Sequence, residues 1–159
     1  MMTATLSSMR KPNRLDMLTA EQRNFLQAQR TATLATTGAE GAPHALPVCF
    51  LTDVGNVYIA IDQKPKSGDP RALKRLRNIA ENPQVALVAD RYDDADWSRL
   101  GWVMVRGRAE ILEDGAEYTD AQARLTARYT QYQAMDLEGL PVIAIRIKKV
   151  TSWGALTAS

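Results

Sequence analysis

A cluster of basic side chains in the first half of the chain is the sequence feature with the clearest chemical meaning. The segment from Lys64 to Asn78 contains six basic residues and one acid, Asp69, so its formal charge is +5. The whole 159-residue chain carries a formal charge of +2, so everything outside this segment sums to −3. Positive charge that is this local indicates a local anionic partner.

The same segment carries the signals of a helix start. Asp69 is a favourable N-cap, and Pro70 suits the first helical position because its missing N–H has no partner to lose there. Apolar residues then recur at helical spacing and predict a face that packs on a core: Leu73, Leu76 and Ile79 or Ala80. The adjacent face is predicted to carry Arg71, Arg75 and Asn78, with Lys74 beside them.

Two interpretations of this basic helix follow from its residues. A helix N-terminus with unpaired N–H groups and several cations is a binding site for phosphate. A solvated surface helix has the same charge pattern. We do not expect nucleic-acid binding, because the rest of the chain is net acidic and aromatic residues do not interleave with the basic ones.

The cysteine and histidine content excludes several kinds of chemistry. Cys49 is the single cysteine and His44 the single histidine, so neither an internal disulfide nor a histidine metal site can form. Nothing near either residue supports a nucleophile activated by an adjacent base. We therefore expect no metal, and no side chain stands out as a catalytic acid or base. If the chain is an enzyme, its redox or group-transfer chemistry comes from a cofactor.

Composition is that of an ordinary globular domain, with 45% hydrophobic and 24% charged residues. No apolar run approaches the roughly 20 residues of a membrane span, and a lone thiol is typical of a reducing compartment. We expect a cytoplasmic protein without membrane contact. Residues 1–17 are expected to form a disordered leader, residues 18–154 a single domain and residues 155–159 a tail.

Alternating apolar patterns predict a mainly β fold of the α+β class. Gly107, inside the longest polar–apolar alternation, predicts a bulge or a bend of the sheet. Long strands with such bends favour a six-stranded antiparallel split β-barrel with peripheral helices. The strands are predicted over residues 31–37, 44–52, 57–61, 84–91, 101–112 and 141–150, and the helices over residues 19–30, from Asp69 onward, and from Asp114 to about Tyr132.

Several of these stretches resemble the pyridoxamine 5′-phosphate oxidase-like split-barrel superfamily. The resemblance lies in the order and spacing of four pieces: Thr33-Leu-Ala-Thr-Thr, Gly41-Ala-Pro-His-Ala-Leu-Pro-Val-Cys-Phe, Val57-Tyr-Ile-Ala-Ile-Asp, and Leu76-Arg-Asn-Ile-Ala-Glu-Asn-Pro-Gln-Val-Ala-Leu. The later run Asp90-Arg-Tyr-Asp-Asp-Ala-Asp-Trp-Ser-Arg-Leu, with Val105-Arg-Gly-Arg-Ala-Glu-Ile-Leu, is similar to a branch described as probable coenzyme F-420-dependent enzymes. Together they cover residues 18–154.

The resemblance implies a homodimer that holds a flavin or deazaflavin, FMN or F-420, in a groove between subunits. The cofactor ring would lie against Pro47, Val48 and Cys49, with backbone groups around Ile61 also in contact. Trp153 would either stack near the ring from the partner subunit or pack at the dimer interface.

The resemblance also implies which basic residues hold the cofactor phosphate. Aligning on Asn82-Pro83 places the family's basic pair on Lys74 and Arg75, with Asn78 assisting. The loop before the helix is longer than in the oxidase proper. We expect its cations to reach a different group, such as the oligoglutamate tail of F-420: Lys64, Lys66 and Arg71.

The expected function is hydride transfer between FMN or F-420 and a small conjugated organic substrate. Pyridoxamine 5′-phosphate oxidation is not expected, because the last strand leads into Ser152-Trp153-Gly154 and lacks the Arg-x-His element that the true oxidase has near its C-terminus. The alternative is a non-enzymatic module that stores or carries a flavin, haem or tetrapyrrole. The sequence does not separate the two.

Overall fold

The computed structural model describes residues 17–53, 55–62 and 68–157. Within these ranges one antiparallel sheet dominates the fold. Its seven strands lie in the order β2-β1-β5-β6-β7-β4-β3. They are β1 (Ala32–Thr37), β2 (Pro43–Val48), β3 (Leu51–Asp53), β4 (Asn56–Ala60), β5 (Gln84–Arg91), β6 (Gly101–Leu112) and β7 (Val142–Gly154). The α+β, mainly β class predicted from the sequence is confirmed, with seven strands in place of six.

The extra strand arises where a single strand was predicted over residues 44–52. The ladder of β2 with β1 ends at Val48, and β3 begins at Leu51 and pairs with β4 instead. Cys49 and Phe50 lie between the two strands and pair with neither neighbour. Pro47 cannot donate to a ladder, and proline of this kind marks an edge strand or a break.

This break determines the shape of the sheet. β2 and β3 are its two edge strands, yet two residues join them. Three consecutive Cα–Cα steps span at most roughly 11 Å, so the sheet must curl until its edges nearly meet. The result is a barrel that is split along one line. We call the line between β2 and β3 the seam.

The curl is also visible in the long strands at the centre of the sheet. β6 and β7 pair along their whole length, with a register shift between Arg106 and Gly107. A Cβ atom on Gly107 would lie 2.2 Å from the Arg146 carbonyl oxygen, so this close approach requires glycine. The predicted bulge at Gly107 is confirmed, and it bends the sheet where the barrel needs curvature.

Three α-helices cover the sheet in the described ranges: α1 (Ala20–Ala28), α2 (Lys74–Glu81) and α3 (Gly115–Arg128). α1 starts as predicted, with a capping box between Thr19 and Gln22. α3 ends at Arg128, earlier than predicted, and a 3₁₀ turn over Thr130–Ala134 follows it. β7 runs four residues beyond its predicted end and includes Trp153.

The basic helix is divided, which corrects the prediction of one helix from Asp69 onward. Asp69 does act as a cap, but of a 3₁₀ turn over Pro70–Ala72. Leu73 is extended and becomes the N-cap of α2. The two pieces are anchored differently. Arg71 binds Glu113 after β6, while α2 packs its buried Leu76 and Ile79 on the core.

Candidate functional site

A cavity of about 230 Å³ opens at the seam, where the curled sheet leaves its edges unpaired. We call it the seam cavity. Residues from five separate parts of the chain line it: Thr31, Leu46, Pro47, Val48, Cys49, Ala60, Asp62, Arg75 and Tyr132. The break between β2 and β3 therefore creates the cavity and supplies about half of its wall.

Arg75 is the residue in this wall with the clearest chemical meaning. It is only 8% exposed, on the second residue of α2, and its Nε has no hydrogen-bond partner among the described residues. No ion pair in the described part of the chain neutralises it either. A buried guanidinium without an acceptor is costly, and an anionic ligand in the cavity would remove that cost.

The electrostatics of Arg75 are consistent with an open site for an anion. Burial lowers the pKa of Arg75, and the nearby Asp62 and Tyr132 act in the opposite direction. Asp62 lies just after β4 and is exposed, so water screens its charge. The carboxylate thus faces the same cavity without pairing with Arg75.

The N-terminus of α2 adds backbone donors beside Arg75. Leu73, the N-cap, makes no side-chain cap hydrogen bond. The first N–H groups of a helix have no intrahelical partners, so those of Lys74 and Arg75 remain available to an anion. The Lys74 side chain is exposed and does not line the cavity.

Cys49 and Tyr132 place a thiol and a phenol hydroxyl together in the wall of the seam cavity. The Cys49 thiol is half-buried and free. Tyr132 comes from the 3₁₀ turn after α3 and is buried. Burial raises the pKa of Tyr132, and the adjacent Cys49 and Asp62 raise it further. Tyr132 is therefore a neutral hydroxyl at neutral pH, in contact with the thiol.

The chain around the seam break is fixed by α3. The Tyr129 hydroxyl accepts a hydrogen bond from the Phe50 N–H at 3.0 Å and lies 2.8 Å from the Phe50 carbonyl oxygen. Arg128 Nε donates to the same carbonyl at 3.0 Å. These bonds replace the ladder hydrogen bonds that Phe50 loses at the break, and so hold Cys49 in place.

Three of the residues that the resemblance places at the cofactor ring lie at this cavity. Pro47, Val48 and Cys49 line it directly. Ile61 is buried in the core at 1% exposure, and its neighbours Ala60 and Asp62 line the cavity instead.

Three other predicted residues do not line the seam cavity: Arg71, Asn78 and Trp153. Arg71 donates to Glu113 at 2.7 Å and lies in a separate concavity with Arg77. Asn78 is fully buried and donates to Thr36 Oγ1 at 3.0 Å, which ties α2 to β1. Trp153 is 55% exposed at the end of β7 and does not line the seam cavity. Lys64 and Lys66 lie outside the described residues.

One exposed face of the sheet runs up to the seam cavity, and we call it the outer face. Cross-strand register places its side chains in rows on β5, β6 and β7. The rows are Asp90–Trp102–Trp153, Val88–Met104–Thr151 and Ala86–Arg106–Lys149, with Gln84–Arg108 beyond. Its centre is largely apolar, one end is acidic and aromatic, and the other end is basic. The middle row continues through Thr33 to Pro47 in the cavity wall.

The basic end of the outer face forms a wide concavity of about 560 Å³. Arg106, Arg108 and Lys148 line it, and no carboxylate does. Among the described residues none of these three cations has an ion-pair partner. Arg106 and Arg108, on the exposed face of β6, thus face a concavity and no acid among the described residues.

The described residues contain no cluster of three or more histidine, cysteine, aspartate or glutamate side chains that could hold a metal ion. Nor does any described helix have the length and apolarity needed to cross a membrane.

A family model for pyridoxamine 5′-phosphate oxidase matches residues 18–154. The chain belongs to this family. A curated relative from Streptomyces rimosus, named 5a,11a-dehydrotetracycline/5a,11a-dehydrooxytetracycline reductase, is 34% identical over 97 residues. The match covers 61% of this chain and 66% of the relative, so it spans just under two thirds of that protein.

Solved structures show the same fold at lower identity. A conserved hypothetical protein from Mycobacterium tuberculosis superposes with a TM-score of 0.70 at 22% identity, covering 92% of this chain and 90% of the other. A heme binding protein from Mycobacterium smegmatis has a TM-score of 0.68 at 21% identity, covering 94% of this chain and 57% of the other. These likenesses establish the fold.

Family resemblance and charge found Arg75, but two chemically important residues of the cavity wall were missed. Asp62 follows a predicted strand and could have been noticed, since the ends of strands commonly carry functional side chains. Tyr132 enters from a turn about 80 residues after Cys49 in the chain, and no local pattern places it there.

Proposed function

We propose that the chain is an oxidoreductase that binds FMN or the deazaflavin F-420 at the seam cavity. In this proposal it transfers hydride between the cofactor and a small conjugated organic substrate. The observation that carries the proposal is Arg75, a buried cation whose Nε has no acceptor in a cavity bounded by Pro47, Val48 and Cys49. Both cofactors contain a phosphate group that would complete this site.

The donors present fit a phosphate group. Arg75 provides a buried guanidinium, the first turn of α2 provides backbone N–H groups without intrahelical partners, and Lys74, exposed and next to Arg75 in the chain, adds a second positive charge. Charge-assisted hydrogen bonds of this kind contribute roughly 1.5–3 kcal/mol each. Such a set suits a phosphate ester better than a neutral ligand.

When bound, the flavin or deazaflavin would supply the hydride chemistry. The chain's own part is to bind, orient and exclude water. Arg75 would fix the phosphate end, and the backbone at Pro47 to Cys49 would face the ring. The apolar side chains of Leu46, Val48 and Ala60 would keep water from that surface. Tyr132 is the neutral hydroxyl in the wall that could hold a proton near it.

The name of the Streptomyces relative supports a reductive direction. That protein is called a reductase of dehydrotetracyclines, which are unsaturated organic molecules. Reduction of a carbon–carbon double bond adds one hydride and one proton. We infer the same class of reaction for this chain. Oxidation of pyridoxamine 5′-phosphate is not proposed.

We further propose that a second copy of the chain completes the site. The seam cavity, at about 230 Å³, is smaller than the 300–1,000 Å³ typical of sites for ligands of this size. One chain therefore encloses only part of a cofactor. The outer face adjoins the cavity through Pro47, so a partner that covers this face would reach the cavity mouth.

Charge determines how two copies would meet. A two-fold axis parallel to the strands would place Arg106 and Arg108 of one chain against the same two residues of the second chain. A two-fold axis across the strands would place them against Asp90 and Trp102 of the second copy, with Met104 near the centre. The second arrangement pairs opposite charges and adds cation–π contacts, so we propose it for the homodimer.

Cofactor titration tests the proposed function. The purified chain is examined by absorption spectroscopy, and FMN and F-420 are then titrated separately by fluorescence or calorimetry. Micromolar binding of either, with reduced cofactor consumed on addition of a conjugated enone, is the expected result. Riboflavin, which lacks the phosphate, serves as the matched control and should bind at least about tenfold more weakly. Binding of neither FMN nor F-420 would refute the proposal.

The alternative is a carrier of flavin, haem or tetrapyrrole without catalysis. The heme binding protein from M. smegmatis has the same fold, which makes the alternative concrete. Against haem, His44 lies on β2 and lines neither the seam cavity nor the basic concavity. A Soret band on addition of haem that disappears in His44→Ala would favour the carrier.

A further inference from the structure

Cys49 is the single thiol of the 159-residue chain, and it lies in the wall of the seam cavity. It is half-buried between the end of β2 and the start of β3. Because Phe50 beside it is held by Tyr129 and Arg128, the thiol sits on a fixed piece of backbone. The Cys49 side chain lines the cavity, and only part of it packs against the core.

A second feature of the same cavity points to an anionic reactant. Arg75 is 92% buried, lines the cavity with Cys49 and has an Nε without an acceptor. A small molecule that carries a carboxylate would satisfy this guanidinium as it enters. Its reactive group would then lie in a space of only about 230 Å³, close to the thiol.

We propose that Cys49 is a modification site for small anionic disulfides, which Arg75 draws into the seam cavity. This proposal does not depend on the cofactor and goes beyond the proposed function. In the step, the Cys49 thiol loses its proton to water and its sulfur attacks one sulfur of the disulfide. A new sulfur–sulfur bond forms, the old one breaks, and the other half leaves as a thiolate. Cys49 is oxidised and the incoming disulfide is reduced.

Asp62 and Tyr132, also in the cavity wall, affect how strongly Cys49 would prefer an anionic disulfide. Asp62 is the one carboxylate among the described lining residues, and it would repel an anionic reagent. Its side chain is exposed and screened by water, whereas Arg75 acts from a buried position of low dielectric. Tyr132 is neutral and contacts the thiol. The proposal therefore requires that buried Arg75 outweigh exposed Asp62 at Cys49, which the ratio of disulfide rates measures.

The modification would also close the cavity to other anions. A mixed disulfide with a carboxylate would occupy the space beside Arg75 and pair with it. An added thiol such as dithiothreitol would reverse the reaction and restore the free cavity. Whether Cys49 is a free thiol or a mixed disulfide would thus determine whether the anion site beside Arg75 is open.

Two chromogenic disulfides test the inference. 5,5′-Dithiobis(2-nitrobenzoate) carries carboxylates, and 4,4′-dithiodipyridine is uncharged, so the ratio of their rates measures anion preference at a thiol. For the wild-type chain this ratio should exceed that of Arg75→Gln by roughly tenfold, a Coulomb effect of one partly buried charge. Arg77→Gln is the matched control, since it removes the same charge from an exposed position on α2 that lines a different concavity. Cys49→Ser must abolish both signals.

A second experiment uses only the wild-type chain. It therefore tests the inference even if circular dichroism shows that Arg75→Gln is unfolded. Inorganic phosphate, added at constant ionic strength, should slow the anionic disulfide several-fold more than the neutral one. The inference is overturned if phosphate slows both reagents equally, or if folded Arg75→Gln keeps the wild-type ratio. Because no flavin is added, failure of the cofactor titration leaves this result intact.

Discussion

The Tyr129 hydroxyl contacts both backbone polar groups of Phe50, at 3.0 Å from its nitrogen and 2.8 Å from its oxygen. Phe50 is the residue at which the chain leaves one edge of the sheet and joins the other. A side chain thus provides the hydrogen bonds that a neighbouring strand provides elsewhere. Without it the buried Phe50 N–H at the seam would have no hydrogen-bond partner.

Tyr129→Phe should therefore weaken the fold at the seam. The Phe50 N–H loses its acceptor, while the Phe50 carbonyl keeps Arg128 Nε. Leaving one buried donor unsatisfied costs about 1–3 kcal/mol. Urea denaturation measures the loss, and faster reaction of Cys49 with 4,4′-dithiodipyridine would locate it at the seam. Tyr92→Phe, at an exposed loop position, is the control and should change stability little.

Two basic residues of the segment from Lys64 to Asn78 should differ in how much they contribute to cofactor affinity: Arg75 strongly and Arg71 little. Arg75→Gln is expected to weaken FMN or F-420 by about 10- to 150-fold, because it removes a buried charge-assisted contact. Arg71→Gln should change affinity less than about twofold, since Arg71 binds Glu113 in another concavity. Calorimetric titration of both variants measures the difference.

A larger loss in Arg71→Gln than in Arg75→Gln would contradict this assignment. It would instead support the expectation that the loop before α2 holds a longer anionic tail. Comparing FMN with F-420 in the same variants separates the two, because only F-420 carries an oligoglutamate tail.

The sequence predicted local features well where one residue type has one structural use. Gly107 marked the bulge, Thr19 capped α1, and the bounds of β5 and β6 agree with the structure. These depend on backbone sterics and period-2 alternation within a few residues. The family resemblance then supplied Arg75, which charge alone could not distinguish from a solvated cation.

The sequence failed where a contact between distant segments overrides a local pattern. Residues 44–52 alternate as one strand, but barrel closure requires the chain to change partners at Cys49 and Phe50. Asp69-Pro70 signals a helix start, yet Arg71 is drawn to Glu113 and the helix begins again at Lys74. Tyr132 reaches the seam only because α3 ends early. None of these contacts leaves a local signal.

Gly107→Ala tests whether curvature at the β6–β7 bulge is essential to the barrel. The added Cβ would lie 2.2 Å from the Arg146 carbonyl oxygen, and backbone there cannot move without breaking the ladder. We expect a loss of about 3 kcal/mol or more, or no soluble protein. Gly41→Ala is the comparison. Gly41 has φ +79° but no heavy atom near the new Cβ, so only about 1–2 kcal/mol is expected.

Charge reversal tests the proposed homodimer on the outer face. The double variant Arg106→Glu with Arg108→Glu should place acids against Asp90 of the second copy and shift the chain toward monomer. Adding Asp90→Lys to the same variant should restore association in part, because the charge of both ends is then inverted. Analytical ultracentrifugation at low salt measures the association. A monomeric wild-type chain, or a double variant that associates as before, would refute the interface.

Tyr58 gives the fold a defined response to alkaline pH. Its hydroxyl donates to Glu117 Oε2 at 2.6 Å, and Arg146 binds the same carboxylate. Burial, then the bond to Glu117, raises the pKa of Tyr58 to about 12, against about 10 in the unfolded chain. The folded state therefore keeps a proton that the unfolded state releases.

The sign of the effect follows from this raised pKa. The contribution of Tyr58 is fully present below pH 10 and is lost as the pH rises from about 10 to about 12, by up to roughly 2–3 kcal/mol. At pH 8 the wild-type chain should be more stable than Tyr58→Phe by about 1 kcal/mol, because the variant lacks the hydrogen bond. Between pH 10 and 12 this advantage should shrink, pass through zero and then reverse, because the loss from titration exceeds the roughly 1 kcal/mol advantage at pH 8. Urea denaturation of both chains at each pH measures it, and a stability difference that stays constant across that interval would show that Tyr58 does not titrate in this way.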